Sequence, residues 1–555
     1  MRSLRSALPL ALPALLFAFA AGRAQTPTAL VSNDFRYGVG RQFDNDTERK
    51  KEYLENMLAT RLFLGDFTLG FRLEIDKPRE FGRDTIGLKE YYAEFQRDGL
   101  AARGGTFYHQ VGRGMVMNTF ESRPIGFDTQ TEGIRLQYSM PEFSAGAWGG
   151  ILTSPDINNS RRLEEYLIRG ASGEARPLDG IGVGGSYMAA SGRRTTLGFA
   201  RAFDAYLREG WLRIEQSGFR AFLNYGEKRT DADSATLASN GSAGRGYGFY
   251  GLVGYSGAGY SFGFEMKDYR FDLVPPNGQV ASSRATRALP FQNLPTLMPV
   301  HDKTLLARNP HAPDFSDELG FQFESIVNPA DEVTLTLVAN AGSRHNAWEH
   351  DRDSSGAQLE GYHRVNEKPR SFAEFSDTRY SPYWEVFLHG EYEPEDADYI
   401  VAAALQRRSN VDMANGQTTR VSSLMLEGTV NLTESDGIHA IVELQRAFDS
   451  KKITGGNDSL GFAPSDGSYN NGLLTLEYSH SPRWAVNTRI EVSTTDQEEQ
   501  GRHVWPVVGA TYRIGTQHTL GIQYGAERGG VVCTGGVCRF INPFQGFRLS
   551  LSSKL

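Results

Sequence analysis

The chain has 555 residues with 58 basic against 66 acidic side chains, a formal charge of −8, 61 glycines and 11% aromatics; its mean hydropathy is negative. That charge excludes a nucleic-acid binder by electrostatics, and the absence of long apolar runs argues against several soluble domains with separate cores. No stretch beyond the N-terminus approaches the ~20 apolar residues of a spanning helix, whereas a transmembrane barrel needs an apolar residue only at every second strand position.

Arg2 and Arg5 precede an apolar run over 7–21 and then Gly22-Arg23-Ala24, which ends in small residues suited to a signal peptidase. The pattern predicts a secretory signal peptide over 1–24 and a mature barrel over 25–555. Cleavage removes Arg2, Arg5 and Arg23 and no acid, so the formal charge falls from −8 to −11. Beyond the signal, alternating segments of ~10 residues are joined by connections that are short, then long. A first strand is expected near Phe35 to Phe43. Short turns follow at Gly65-Asp66, Ser191-Gly192, Ser217-Gly218, Gly257-Ala258, 328–331, 394–396, Ser481-Pro482 and Gly515-Thr516, all turn chemistry by residue type. Longer polar stretches cover 153–179, 230–245, 272–316, 343–382, 449–470 and 527–543.

Between the early strands, 104–130 is unusual: Gly112, Gly114 and the run Met115 to Met117 suit either an ordinary outer loop or a segment folded into the lumen. Its constriction candidates are Tyr108, Gly112, Arg113, Gly114, Glu121, Arg123 and Asp128. Gly180-Ile181-Gly182-Val183-Gly184-Gly185 fits G-x-G-x-x-G, but strand and turn rather than a helix follow, so glycine-rich strand backbone is expected. Gly259-Tyr260-Ser261-Phe262-Gly263 fits a serine-hydrolase elbow, yet it lies inside an alternating strand without the required helix. His301, His311, His345, His350 and His363 fall in the two longest stretches without zinc spacing and are expected to be solvated. Asp351 to Gly356 opens like a calcium loop but lacks the twelfth-position glutamate, leaving an irregular calcium site, beside a metal site on the loop histidines, as the metal alternatives to no cofactor.

Towards the C-terminus the two faces separate clearly. Trp384, Val386, Leu388 and Tyr392 alternate with Glu385, Phe387, His389 and Glu391; Ile438, Ala440, Val442 and Leu444 oppose His439, Glu443 and Gln445. Leu474, Leu476 and Tyr478 oppose Glu477, and Trp484, Val486, Ile490 and Val492 oppose Arg489 and Glu491. A basic residue at mid-bilayer on the lipid face costs ~2–4 kcal/mol and an acidic one less, so the charged face is expected to line the lumen. Glu385, His389, Glu391, Glu443, Glu477, Arg489 and Glu491 are its candidate residues. Cys533 and Cys538 flank Thr-Gly-Gly-Val and read as a loop disulfide formed after export. The last strand is expected over 545–555.

The count is about 24 strands (range 18–26), even, with both termini on the periplasmic side; 104–130 and the pair around Tyr399 and Arg420 set the spread. The fold class is therefore all-β, a large up-and-down antiparallel transmembrane β-barrel with short periplasmic turns and long extracellular loops. Residues 104–116 and 121–128, Ala307-Arg308-Asn309-Pro310-His311 before 317–322, 380–385, and the cysteine hairpin running into 544–549 resemble a family of outer-membrane barrels defined only as a domain of unknown function. The resemblance spans nearly the whole mature chain and implies a barrel without supplying an activity. Val111, where an aromatic is commoner, and Leu555, where barrel C-termini often carry Phe or Trp, depart from the pattern. The expected function is a porin-like channel in the cell outer membrane, with an acidic, loop-narrowed lumen and no enzyme activity. The alternative is a structural or secretion-associated barrel with a filled pore that docks envelope proteins. Expected partners are outer-membrane lipids and the barrel-assembly machinery, with no nucleic acid.

Overall fold

The computed structural model describes residues 27–555 apart from 45–46, 82–83, 156–162, 197–198, 232–244, 274, 277–288, 357, 396, 413–415, 454–465, 496–501 and 535–536; the signal-peptide expectation lies outside them. Twenty-four strands form one sheet in which each strand pairs antiparallel with its sequence neighbours in the sheet. The first strand, Thr28–Asp44, also pairs with the last, Phe544–Lys554, from Ser32↔Lys554 to Gln42↔Phe544, and this closes the barrel. Closure leaves no sheet edge, so every strand's backbone N–H and C=O groups find partners without water. Among the described residues no helix is long and apolar enough to cross a membrane.

The alternation sorts side chains as the sequence demands. Val386, Leu388, Val442, Leu444, Leu474, Leu476, Val486 and Ile490 are exposed on the outside, while Glu385, Glu443 and Glu491 on the opposite face are buried. At the short-turn end, outward aromatic pairs flank the turns: Tyr138 with Phe143, Tyr255 with Tyr260, Tyr392 with Tyr399 and Tyr478 with Trp484 each straddle one, and Phe67 meets Phe95 between two neighbouring turns, with ring centroids 5.0 to 6.4 Å apart. Such a girdle is what an apolar belt needs where hydrocarbon meets the polar interface.

Two expectations are corrected. The stretch 153–179, expected as a loop, contains the strand Leu163–Leu178, and Ser191-Gly192, expected as a turn, lies within the strand Ile181–Thr196. The turn is Asp179-Gly180 instead, with Gly180 at φ +73°, which only glycine adopts readily. Leu163–Leu178 was hidden because its inward face buries Tyr166 and Ile168, while its outward face exposes Arg169. The apolar period therefore sits on the side where polar residues are expected. Ser191 keeps its register against Asp204 and its hydroxyl donates to that carboxylate at 2.6 Å.

Leu426 lies in an unbroken outward row with Ala403, Val442, Leu474 and Ile490. Leu426→Arg should therefore destabilise the folded barrel by ~2–4 kcal/mol, read as a shift of the urea unfolding midpoint in detergent or vesicles. An unchanged midpoint would remove Leu426 from the lipid-facing belt.

Candidate functional site in the barrel interior

The inner wall is divided. From the strand Phe143–Pro155 round to Tyr260–Arg270 it carries an apolar arc, including Trp148, Leu152, Ile168, Met188, Leu207 and Tyr269, all buried. The remaining wall is charged, with Glu55, Glu74, Asp76, Arg72, Glu90, Arg103 and Arg135 on one side of the closing seam and Glu385, Glu427, Glu443 and Glu491 on the other.

Two non-barrel segments fill the space between these surfaces. In 108–130, Gly112 and Gly114 adopt φ +52° and +88°, which turns the chain sharply enough for the Gly114 N–H to reach the Val111 carbonyl at 2.8 Å. Met115, Val116 and Met117 are then buried against the apolar arc with 1% exposure or less. Arg113 lies over the Phe222 ring at 5.2 Å, and the Tyr108 hydroxyl donates to Asp128 at 3.0 Å. Glu121 pairs with Arg72 at 2.8 Å. Arg123 enters the acidic cluster, reaching Glu74 at 3.0 Å, Asp76 at 3.2 Å and Glu55 at 3.3 Å. All seven candidates of this segment are thus brought inside the barrel; Arg113 stays exposed there, whereas Glu121, Arg123 and Asp128 are half-buried, which would be costly without such partners.

The second segment, 289–316, begins on the first and crosses to the charged wall. Asn118 and Asn293 exchange amide-to-carbonyl bonds at 2.9 and 2.7 Å, Gln292 donates to the Met115 carbonyl at 3.0 Å, and Phe291 is fully buried in the same cluster. A Cβ at Gly114 would meet the Asn293 carbonyl at 2.4 Å, so the two segments touch backbone to backbone. Further along, the His301 ring lies 2.5 Å from Glu385 and Lys303 pairs with Glu427 at 2.8 Å. The Glu443 carboxylate accepts three consecutive backbone N–H groups, from Thr304, Leu305 and Leu306, at 3.1, 2.7 and 3.2 Å. Arg308 pairs with Glu491 at 2.5 Å and donates to the Gly529 carbonyl at 2.9 Å.

Three of the wall carboxylates read from sequence, Glu385, Glu443 and Glu491, are therefore occupied by this segment. Nearer the short-turn end, His389, Glu391, Glu477 and Arg489 are only half-buried; Arg489 reaches Glu527 at 3.3 Å, and Glu391 and Glu477 have no ion-pair partner among the described residues. Lys303, Phe291 and Arg308 were not singled out from sequence, although Arg308 stands in the 307–311 stretch that carries the family resemblance.

The histidine expectation is corrected for three of five. His301 is held as above. His311 stacks on Tyr383 with ring centroids 4.5 Å apart and bonds Asn410 and Glu318. His345 is fully buried between Asp268 and Asp317, each at 3.0 Å. Carboxylates on the wall strands hold these loop histidines out of water, which a linear reading cannot show. His350 and His363 lie on the hairpin Trp348–Arg352 and Gln358–Arg364, where His363 meets Asp351 at 2.8 Å. Asp353, in the stretch read as a possible calcium loop, accepts from the Ser355 N–H and hydroxyl. No group of three metal-ligating side chains occurs among the described residues. Cys533 and Cys538 form a disulfide across the hairpin Gly530–Thr534 and Val537–Ile541, and Arg539 beside it donates to the Ile125 carbonyl at 3.0 Å.

Glu443→Ala would leave three backbone donors without their charged acceptor, each such bond being worth ~1.5–3 kcal/mol. Protease cleavage within 301–308 should accelerate at least ten-fold; an unchanged rate would show that Glu443 does not hold the segment. His345 offers a pH test. Burial opposes its protonated form, but the bonds and charge of Asp268 and Asp317 outweigh that, and its pKa stands above the ordinary 6.5. A raised pKa contributes stability that is full below 6.5 and lost as pH rises through the raised value. Amide exchange at 344–347, corrected for its intrinsic rate, should be slower at pH 6 than at pH 9, and equal protection would refute the pairing.

Residues 20–555 match the family described as "Family of unknown function (DUF6029)". No curated protein matches the chain. Among solved structures, the chain is similar to the siderophore receptor PirA from Pseudomonas aeruginosa, at 9% identity over 96% of this chain and 81% of that one, with a TM-score of 0.42. It is also similar to the P pilus usher PapC translocation pore, at 9% identity over 95% and 99% with a TM-score of 0.39. OccK5 (OpdH) of Pseudomonas aeruginosa matches at 12% identity over 76% and 97%, with a TM-score of 0.35. The match over nearly the whole chain, on a closed 24-strand barrel, places this protein in the DUF6029 family.

Proposed function

We propose that the chain is an outer-membrane, porin-like channel for small polar solutes whose conduit is kept narrow by its own inner segments. The exposed apolar belt and the aromatic girdle support the location: lipid is the solvent that such an outer surface requires. The observation that carries the channel reading is the hold of Glu443 on three successive N–H groups of 304–306, flanked by the pairs His301–Glu385 and Arg308–Glu491. A segment suspended across a wide barrel by polar contacts, rather than by a continuous apolar core, is an element that can be displaced. Glu391 and Glu477, without ion pairs among the described residues, give the conduit its acidic, cation-preferring stretch. No catalytic role is assigned: Ser261 stays in strand register between Ser256 and Ile326, without the helix a nucleophile elbow requires. Lipids and the barrel-assembly machinery are the partners this reading requires.

The filled interior also favours a second reading, a closed barrel that serves as a docking platform for other envelope proteins. Planar bilayers separate the two. The wild-type protein should give small, cation-preferring conductance, Glu443→Ala should raise the conductance several-fold, and Glu391→Gln with Glu477→Gln should lower the cation preference. A wild type and a Glu443→Ala variant that both stay silent would exclude the channel and leave the docking platform.

A further inference from the structure

On the outer wall, two adjacent rows of outward residues run across five strands near the long-loop end. One is Val386, Arg407, Ser422, Arg446 and Asn470, each paired in register with the next; the other is Trp384, Ser409, Arg420, Phe448 and Ser468. The next row towards the short turns is Leu388, Leu405, Leu424 and Leu444, three of them more than 40% exposed. The surface therefore changes from leucine to arginine in one step, as it would where hydrocarbon ends. Arg407 lies eight residues beyond Tyr399 of the aromatic girdle, ~26 Å along the strand and ~20 Å along the membrane normal at a strand tilt of ~40°, which puts the arginines in the outer part of an apolar band ~25 Å tall, within a side chain's reach of its edge.

Arg407, Arg420 and Arg446 are all exposed, and among the described residues none has a carboxylate partner. Three outward arginines elsewhere are neutralised, Arg208 by Glu227 at 2.5 Å, Arg229 by Asp231 at 3.0 Å and Arg270 by Asp268 at 2.9 Å, and Arg169 stands exposed as a single charge rather than in a cluster. The loop 371–378 leans over the arginine rows and completes an open cleft of about 580 Å³ lined by Phe375, Trp384 and the three arginines. Phe375 packs edge-on against the outward Phe321, so the loop descends the outside of the barrel. The two carboxylates of that loop are engaged, Glu374 by Arg370 and Asp377 by Arg379.

We propose that this cleft binds a phosphorylated glycolipid of the outer leaflet. Three unpaired guanidiniums match phosphate oxygens in charge and geometry. Ser409, Ser422 and Asn470 offer hydrogen bonds to sugar hydroxyls, Trp384 offers a ring face, Phe448 carries the Arg420 guanidinium over its ring at 5.5 Å, and the leucine row lies beneath for acyl chains. The choice of the outer leaflet rests on the preceding reading, which places the long loops outside the cell.

Native mass spectrometry of the full-length barrel in detergent, titrated with bis-phosphorylated lipid A, tests the site. The wild type should hold one lipid A tightly, and the triple variant Arg407→Gln, Arg420→Gln, Arg446→Gln should bind at least ten-fold more weakly. Arg208→Gln should bind as the wild type does, and dephosphorylated lipid A should bind the wild type no better than lipid A binds the triple variant. If the triple variant does not fold, Arg420→Gln alone should show an intermediate loss. Undiminished binding by the folded triple variant, or by Arg420→Gln where only that variant folds, would overturn the proposal. Equal wild-type affinity for phosphatidylglycerol would overturn the glycolipid assignment. Failure of the wild type to insert into vesicles, a separate readout, would instead remove the membrane reading on which the leaflet depends.

Discussion

Hydrocarbon offers no partner for a peptide group, and the rest of this architecture depends on that constraint. A sheet in lipid must either close or leave a row of unpaired N–H and C=O groups at each edge, and here the first strand closes on the last from Ser32↔Lys554 to Gln42↔Phe544. Closure with 24 strands has its own cost, because the interior widens with strand number and inward side chains alone can fill only a barrel of about eight strands. The backbone's need for closure thus creates a space that other parts of the chain have to occupy.

The occupants are matched to a wall of two kinds. Where strands 143–270 turn Trp148, Ile168, Met188 and Tyr269 inward, the filling is Met115, Met117, Phe291 and Leu294, and the contact behaves as a conventional apolar core. Where the wall bears carboxylates, the filling supplies Arg123, His301, Lys303, Arg308 and a run of backbone N–H groups. The apolar side gives a firm seat and the charged side gives directional, individually breakable contacts. That asymmetry divides the filling by the kind of contact that holds it, apolar packing on one side and discrete polar bonds on the other.

The barrel was legible in the sequence because lipid imposes a two-residue period that survives any choice of polar residue. The faces of Trp484–Ser493 and Tyr383–Tyr392 could be assigned residue by residue. Leu163–Leu178 escaped because its inward residues pack on the filling, so that strand is apolar inside. The identity of the acidic wall residues was readable, but their occupation was not. What Glu443 touches is fixed by residues 137 to 139 positions away, and backbone N–H donors carry no sequence signature at all. The burial of His301, His311 and His345 depended in the same way on carboxylates supplied by strands of the wall.

Asn118 and Asn293 clasp each other across 175 residues of chain, and the strands from Thr131–Ser139 to Tyr260–Arg270 all lie between them. The interior packing is therefore stitched from distant parts of the polypeptide, while the seam that shuts the cylinder is made by the two chain ends. Sealing the wall and filling it are therefore separate tasks, drawn from different parts of the chain: 108–130 and 289–316 hang from strand ends, and an open-ended cylinder leaves them the axial way in after its sides are shut.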